Sequence, residues 1–156
     1  MNKPEFLYHA SSDPDILEFQ PQNESPRYNG DVNLVFATPH PGIAAMFLAP
    51  KDIPIEISIY SDRYVTFISS TRKEYMLKDK GGAIYSLPVD TFETDIKTGM
   101  GAIEWFSKVP VRPISKEIFQ TSIDAMEKYK VDMYFVSNAI LKQIHADPAN
   151  ALDLVK

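Results

Sequence analysis

Short apolar runs separated by turn residues recur along the chain, and their spacing predicts the elements. Leu34 to Ala37 is apolar with one β-branched residue and reads as a buried strand. Thr38-Pro39-His40-Pro41 interrupts it. Threonine caps helices and proline suits the first helical position, so a helix starts at Pro39 or, because a proline restrains the residue before it, at Pro41. Ile43 to Leu48 is apolar on nearly every side, the pattern of a buried helix, and Pro50 ends it. Phe6 to Ala10 reads as a first strand, closed by the turn cluster Ser11-Ser12-Asp13-Pro14. Residues 18 to 31 read as a surface loop. Ile55, Ile57 and Ile59 alternate with polar residues, so residues 53 to 60 form a half-buried strand, followed across Ser61-Asp62 by a strand from Tyr64 to Ile68.

Residues 71 to 80 are polar and fit neither period; Gly81-Gly82 ends them. Ala83 to Leu87 is a strand closed by Pro88. Residues 94 to 101, with two glycines and two threonines, form a loop leading into the strand Ala102-Ile-Glu-Trp-Phe106. Ser115 is the expected cap of a helix to about Lys130, with Ile118, Phe119, Ile123 and Met126 at helical spacing. Val131 to Val136 is a strand, Ser137-Asn138 opens a helix carrying Ile140, Leu141 and Ile144, and Asp147-Pro148 restarts a short last one. The sum is an α+β fold of mostly antiparallel strands with helices at the side, expected as a single domain over residues 1 to 156.

Composition narrows the chemistry. The chain has 156 residues, 44% hydrophobic and 24% charged, enough to bury a sizeable core. A net charge of -5, with four arginines spread thinly, argues against a general nucleic-acid binder. The absence of cysteine removes disulfides, thiol catalysis and thiolate metal sites. No signal-peptide core or membrane-length apolar run is visible, so a cytoplasmic protein is expected, with a signal-less secretion route as the other possibility.

The three histidines are His9, His40 and His145, and none sits at metal-ligand spacing to another ligand, so no metal site is expected. His145 near a helix end and His40 between two prolines read as structural. His9 lies on an internal strand, either as a core histidine satisfied by backbone or as a ligand contact. Glu104, between Ile103 and Trp105, faces away from both, either as a solvent-facing strand residue or as a site carboxylate. Phe36 and Phe47, with ten residues between them, are core aromatics when each is considered alone.

Taken together, a strand histidine, an aromatic ending a second strand, an aromatic ten residues on and a late glutamate behind a loop make one pattern. It resembles the ADP-ribosyltransferase superfamily, specifically the diphtheria-toxin and poly(ADP-ribose)-polymerase branch with its His, Tyr-x10-Tyr and Glu motifs. The resemblance runs from about Phe6 to Trp105. It implies a split, mostly antiparallel sheet core with flanking helices, NAD as substrate, and ADP-ribose transfer to a protein or nucleic-acid acceptor. His9 would bond an NAD ribose hydroxyl, and the backbone of Ala10 would meet the nicotinamide amide. Phe36 and Phe47 would sandwich the nicotinamide ring. Glu104 would be the catalytic carboxylate, stabilising the cation that forms as the glycosidic bond breaks.

The chain departs from that pattern in several places. Phenylalanine replaces tyrosine at both aromatic positions, Ala10 stands where glycine often follows the histidine, and Ala44 where some members have serine. Ala102 stands where the arginine-modifying branch has a second acid, which makes arginine a poor acceptor. Two alternatives stay open. One is an RNA 2′-phosphotransferase-like enzyme of the same fold, weakened by the sparse Arg27, Arg63, Arg72 and Arg112; the other is an inactive interaction domain that retains the fold.

Overall fold

The computed structural model describes residues 3–22, 33–94 and 103–155. The loops expected at residues 18 to 31 and 94 to 101 thus lie partly, and Ala102 and Arg27 wholly, outside the described residues. Among those residues the strands are β1 (Leu7–Ser11), β2 (Val35–Ala37), β3 (Ile55–Ile59), β4 (Tyr64–Ser69), β5 (Gly82–Leu87), β6 (Phe92–Glu93), β7 (Trp105–Ser107), β8 (Ser115–Phe119) and β9 (Val131–Val136). The helices are α1 (Pro41–Met46), α2 (Arg72–Lys78), α3 (Ser122–Lys128) and α4 (Asn138–Ala146), followed by a 3-10 helix at Pro148–Leu154.

The strands form sheets ordered β1-β5-β8, β2-β7-β6 and β3-β4-β9. Every pairing is antiparallel except β4 with β9. The fold is α+β. A reciprocal backbone bridge joins the first two sheets: Tyr8 N–H donates to Thr38 O at 2.7 Å and Thr38 N–H to Tyr8 O at 3.0 Å. The side of β1-β5-β8 that carries Tyr8, Ala10 and Ile84 packs with α1, α3 and the inner face of β3-β4-β9 into one core. The opposite side, with Leu7, Tyr85 and Leu87, meets Val35, Ala37, Phe92 and Trp105 in a second core. A third lies between β4 and α4, around Phe67, Leu141 and Ile144.

Local chemistry accounts for the helices. α1 starts at Pro41 with His40 as its N-cap, and Thr38 Oγ1 accepts from His40 N–H at 3.2 Å. Its glycine, isoleucine, two alanines and methionine are all buried, because small side chains let the helix lie close between two sheets. A Cβ on Gly42 would stand 2.9 Å from the Tyr64 ring. The helix is not buried all round, however: Phe47, its C-cap, is 62% exposed.

The largest correction concerns residues 115 to 130. Ser115 opens strand β8, not a helix, and the helix begins at Ser122 with Thr121 as its cap. The helical spacing from Ile118 to Met126 is coincidental, since Ile118 is 61% exposed on an edge strand while Ile123 and Met126 are buried in α3. Pairing with β5 overrides the local pattern. The polar stretch after Ser70 is helix α2, where Thr71 Oγ1 accepts from Glu74 N–H at 3.1 Å and Tyr75 alone is buried. Gly81 follows with φ +66°, a conformation that leaves no room for a side chain: a Cβ would lie 2.1 Å from Phe119 O.

Candidate functional site

β1 is an internal strand, paired with β5 on one side and bridged to Thr38 on the other. Extending that bridge by two residues in antiparallel register sets Ala10 beside Phe36. His9 Nδ1 lies 2.6 Å from Phe36 O. A carbonyl only accepts, so Nδ1 carries the hydrogen and donates. In the neutral tautomer this sets, the ring's lone pair is on Nε2. The ring is half-buried against Phe19, with centroids 4.7 Å apart, at the rim of the second core. The backbone contact expected of a structural histidine is present, without the enclosure.

β2 pairs with β7 so that Phe36 stands opposite Phe106 and Ala37 opposite Trp105. β7 pairs in turn with β6, placing Glu93 opposite Phe106 and Phe92 opposite Ser107. Residues directly opposite each other share a face, and neighbours along a strand alternate. Val35, Ala37, Phe92, Trp105 and Ser107 all turn inward and are buried. Phe36 and Phe106 are half-buried and Glu93 exposed, in a row across the other face of the three strands.

Glu104 lies one residue before β7, not within it, and is half-buried. Its carbonyl accepts from Thr94 Oγ1 at 3.1 Å. Continuing the alternation of β7 puts its side chain on the face of Phe106. Backbone pairing thus puts Phe36 and Glu104 on one face, while His9, set opposite Ala37 by the same register, turns to the second-core side and reaches Phe36 only at its carbonyl. Phe47 closes α1, which packs on Tyr8 and Ala10, on the side of the sheet that Phe36 occupies. Neither phenylalanine of the expected ring sandwich is enclosed in a core: Phe36 is half-buried and Phe47 exposed. Sequence reasoning missed Phe106 and Glu93. The alternation Glu104-x-Phe106 carried the first; the second depends on register.

The remaining histidines bond elsewhere. His40 Nδ1 lies 3.0 Å from the Tyr64 hydroxyl, and His145 Nδ1 lies 3.1 Å from Glu56 Oε2 in the last turn of α4. Among the described residues no group of three or more histidine, cysteine or acidic side chains could hold a metal ion, and no helix is long and apolar enough to cross a membrane. The described arginines form ion pairs: Arg63 with Asp132, Arg72 with Glu127 and Arg112 with Glu18. No protein-family model, curated protein or solved structure matches the chain.

Proposed function

We propose that the protein binds NAD on the face carrying Phe36 and Glu104 and cleaves its nicotinamide–ribose bond, passing ADP-ribose to an acceptor as ADP-ribosyltransferases do. The observation that supports this most is the 2.6 Å contact of His9 Nδ1 with the Phe36 carbonyl. It ties the histidine and the first aromatic of the pattern together and fixes the imidazole tautomer. In this reading the nucleotide passes round the end of the β1–β2 pairing, so that His9 Nε2, on the second-core side, accepts from a ribose hydroxyl and the Ala10 backbone, one residue on, meets the nicotinamide amide. Phe36 and Phe47 offer ring faces to the flat, electron-poor nicotinamide, each contact adding about 0.5–1.5 kcal/mol beyond burial.

Glu104 acts where charge develops. Nicotinamide departs with the bonding pair and leaves an oxocarbenium-like ribose, which a carboxylate stabilises more than it stabilises ground-state NAD. At ~4 Å and an effective dielectric near 20 that attraction is about 4 kcal/mol, on the order of a thousandfold in rate. A cytoplasmic setting belongs to the same reading.

Nicotinamide release by the wild type and by Glu104→Gln tests it. Glutamine keeps the size and a hydrogen bond to ribose but loses the charge. Turnover should fall about a thousandfold while KM for NAD and the melting midpoint hold. Equal turnover in the two removes Glu104 from the mechanism. A wild type that neither binds NAD nor releases nicotinamide turns the assignment to a non-catalytic interaction domain.

A further inference from the structure

The layer over the third core is held by little. α4 follows β9 directly, with Ser137 as its cap, and the 3-10 helix lies against the same core. Together the two helices bury Leu141, Ile144 and Ala151, the last a bare methyl group. The 3-10 helix is broken at Asn150, where φ is −107° and ψ 15°. Two polar ties to the sheet are exposed: His145 Nδ1 with Glu56 Oε2, and Ser69 Oγ donating to Asn138 Oδ1. Exposed ties of this kind hold little. A cavity of about 250 Å³, lined by Glu56, Leu141, Lys142 and His145, opens along the seam between β3 and α4. The sheet itself is anchored from its other face, where Tyr64, Ile68, Met133 and Phe135 belong to the first core.

The covered face carries two hydroxyls that the closed layer leaves unsatisfied. Ser58 stands opposite Val65 and Glu56 opposite Phe67, so β3 turns Glu56, Ser58 and, two residues on, Tyr60 toward α4. Ser58 is 9% exposed, and neither its Oγ nor the enclosed Tyr60 hydroxyl has a hydrogen-bond partner among the described residues. A hydroxyl enclosed without a partner destabilises the state that encloses it and regains its hydrogen bonds when that state opens. Thr66 Oγ1 is buried without a partner as well, but Thr66 alternates with Val65 and Phe67 and so lies on the first-core face.

We infer that α4 and the 3-10 helix form a lid that swings off β3-β4-β9 as a unit, hinged at Ser137, while the rest of the molecule stays folded. Opening costs the burial of three side chains and gives the Ser58 and Tyr60 hydroxyls solvent partners. It also uncovers the stacked rings of Phe67 and Tyr134, whose centroids are 5.7 Å apart. The lid does not depend on the NAD reading, since it covers a different sheet.

Hydrogen exchange of the full chain tests it, followed amide by amide under conditions where the rate reports the opening equilibrium. In the wild type the α4 amides from Leu141 to Ala146 should be at least about tenfold less protected than those of β5, because the lid opens without the rest. Ser58→Ala and Tyr60→Phe should each slow α4 exchange about fivefold or more, since each removes a group that the closed lid leaves unsatisfied. Thr66→Val, on the face the lid does not cover, should leave α4 exchange unchanged. Equal protection of α4 and β5 overturns the lid. So does α4 exchange that both Ser58→Ala and Tyr60→Phe leave unchanged or speed, and so does α4 exchange that Thr66→Val slows as much as they do.

Discussion

Asp79 at the end of α2 and Glu104 at the start of β7 carry the same functional group in unlike settings. Asp79 is 7% exposed and spends its oxygens on the protein. Oδ1 accepts from Ser122 N–H at 2.7 Å and Gly81 N–H at 3.3 Å; Oδ2 accepts from Ser122 Oγ at 2.9 Å and Ile123 N–H at 3.1 Å. Because Ser122 Oγ donates to Asp79, the Tyr75 hydroxyl, 2.5 Å away, donates to Ser122. With Thr121 Oγ1 accepting from Asp124 N–H at 3.0 Å, the opening N–H groups of α3 are all satisfied. Glu104 instead shares its face with two half-buried rings on the side of the sheet away from the second core. A carboxylate saturated by backbone donors holds a helix in place; the one set among outward-facing rings is the one proposed to meet a ligand.

Substitutions separate the two roles, and the largest loss of stability is expected at the buried acid. Asp79→Ala leaves the Ser122 and Ile123 N–H groups buried without an acceptor, at a cost of about 3 kcal/mol or more. At roughly 2–4 °C per kcal/mol for a chain of this size, the melting midpoint should drop by at least about 6 °C. KM for NAD of the folded fraction should hold. Urea unfolding beside NAD kinetics checks both halves, and a stable Asp79→Ala would deny the clasp its role.

A smaller effect is expected in alkali. Burial, helped by the nearby Asp79 charge and opposed by the Ser122 bond, pushes the Tyr75 hydroxyl from 10.0 up to about 12. The folded state therefore holds its proton where the unfolded chain loses it. Stability from this group is complete below pH 10 and is lost as pH rises from 10 toward 12. Tyr75→Phe should cost about 1 kcal/mol at neutral pH and make that alkaline decline shallower. Denaturant midpoints across the range give the answer, and parallel curves would contradict it.

The smallest stability changes belong to the open face. Glu104→Gln and Phe47→Ala should each alter stability by about 0.5 kcal/mol or less. Phe47→Ala should nevertheless weaken NAD binding about fivefold, the equivalent of roughly 1 kcal/mol of ring contact. A Phe47→Ala protein several kcal/mol less stable would instead make that ring a packing element.

The same contrast explains what the sequence disclosed. Strand and turn chemistry around β1, β2 and α1 is local, so the strand positions of His9 and Phe36 and the Pro41 start were legible within a few residues of each. The β3–β4 hairpin and α4 declared themselves by period and cap. Asp79 did not, because its partners are 43 and 44 residues away and its own stretch is polar around a single buried tyrosine. Residues 115 to 130 carried a helical period that pairing with β5 overrode. Glu93 was hidden for a related reason: only the β6–β7 register sets it opposite Phe106. The exposure of Phe47 at the end of an expected buried helix was not legible, because an apolar run of small residues conceals which single large ring turns outward.

Calorimetric titration with NAD of wild type, His9→Ala and Phe47→Ala tests the central claim, that the open face of β2-β7-β6 with α1, together with the neighbouring edge at His9, is a nucleotide site. One saturable site in the wild type, weakened in both variants at unchanged melting midpoints, is the expected result. No binding to the wild type, or equal affinity in all three proteins, would contradict it.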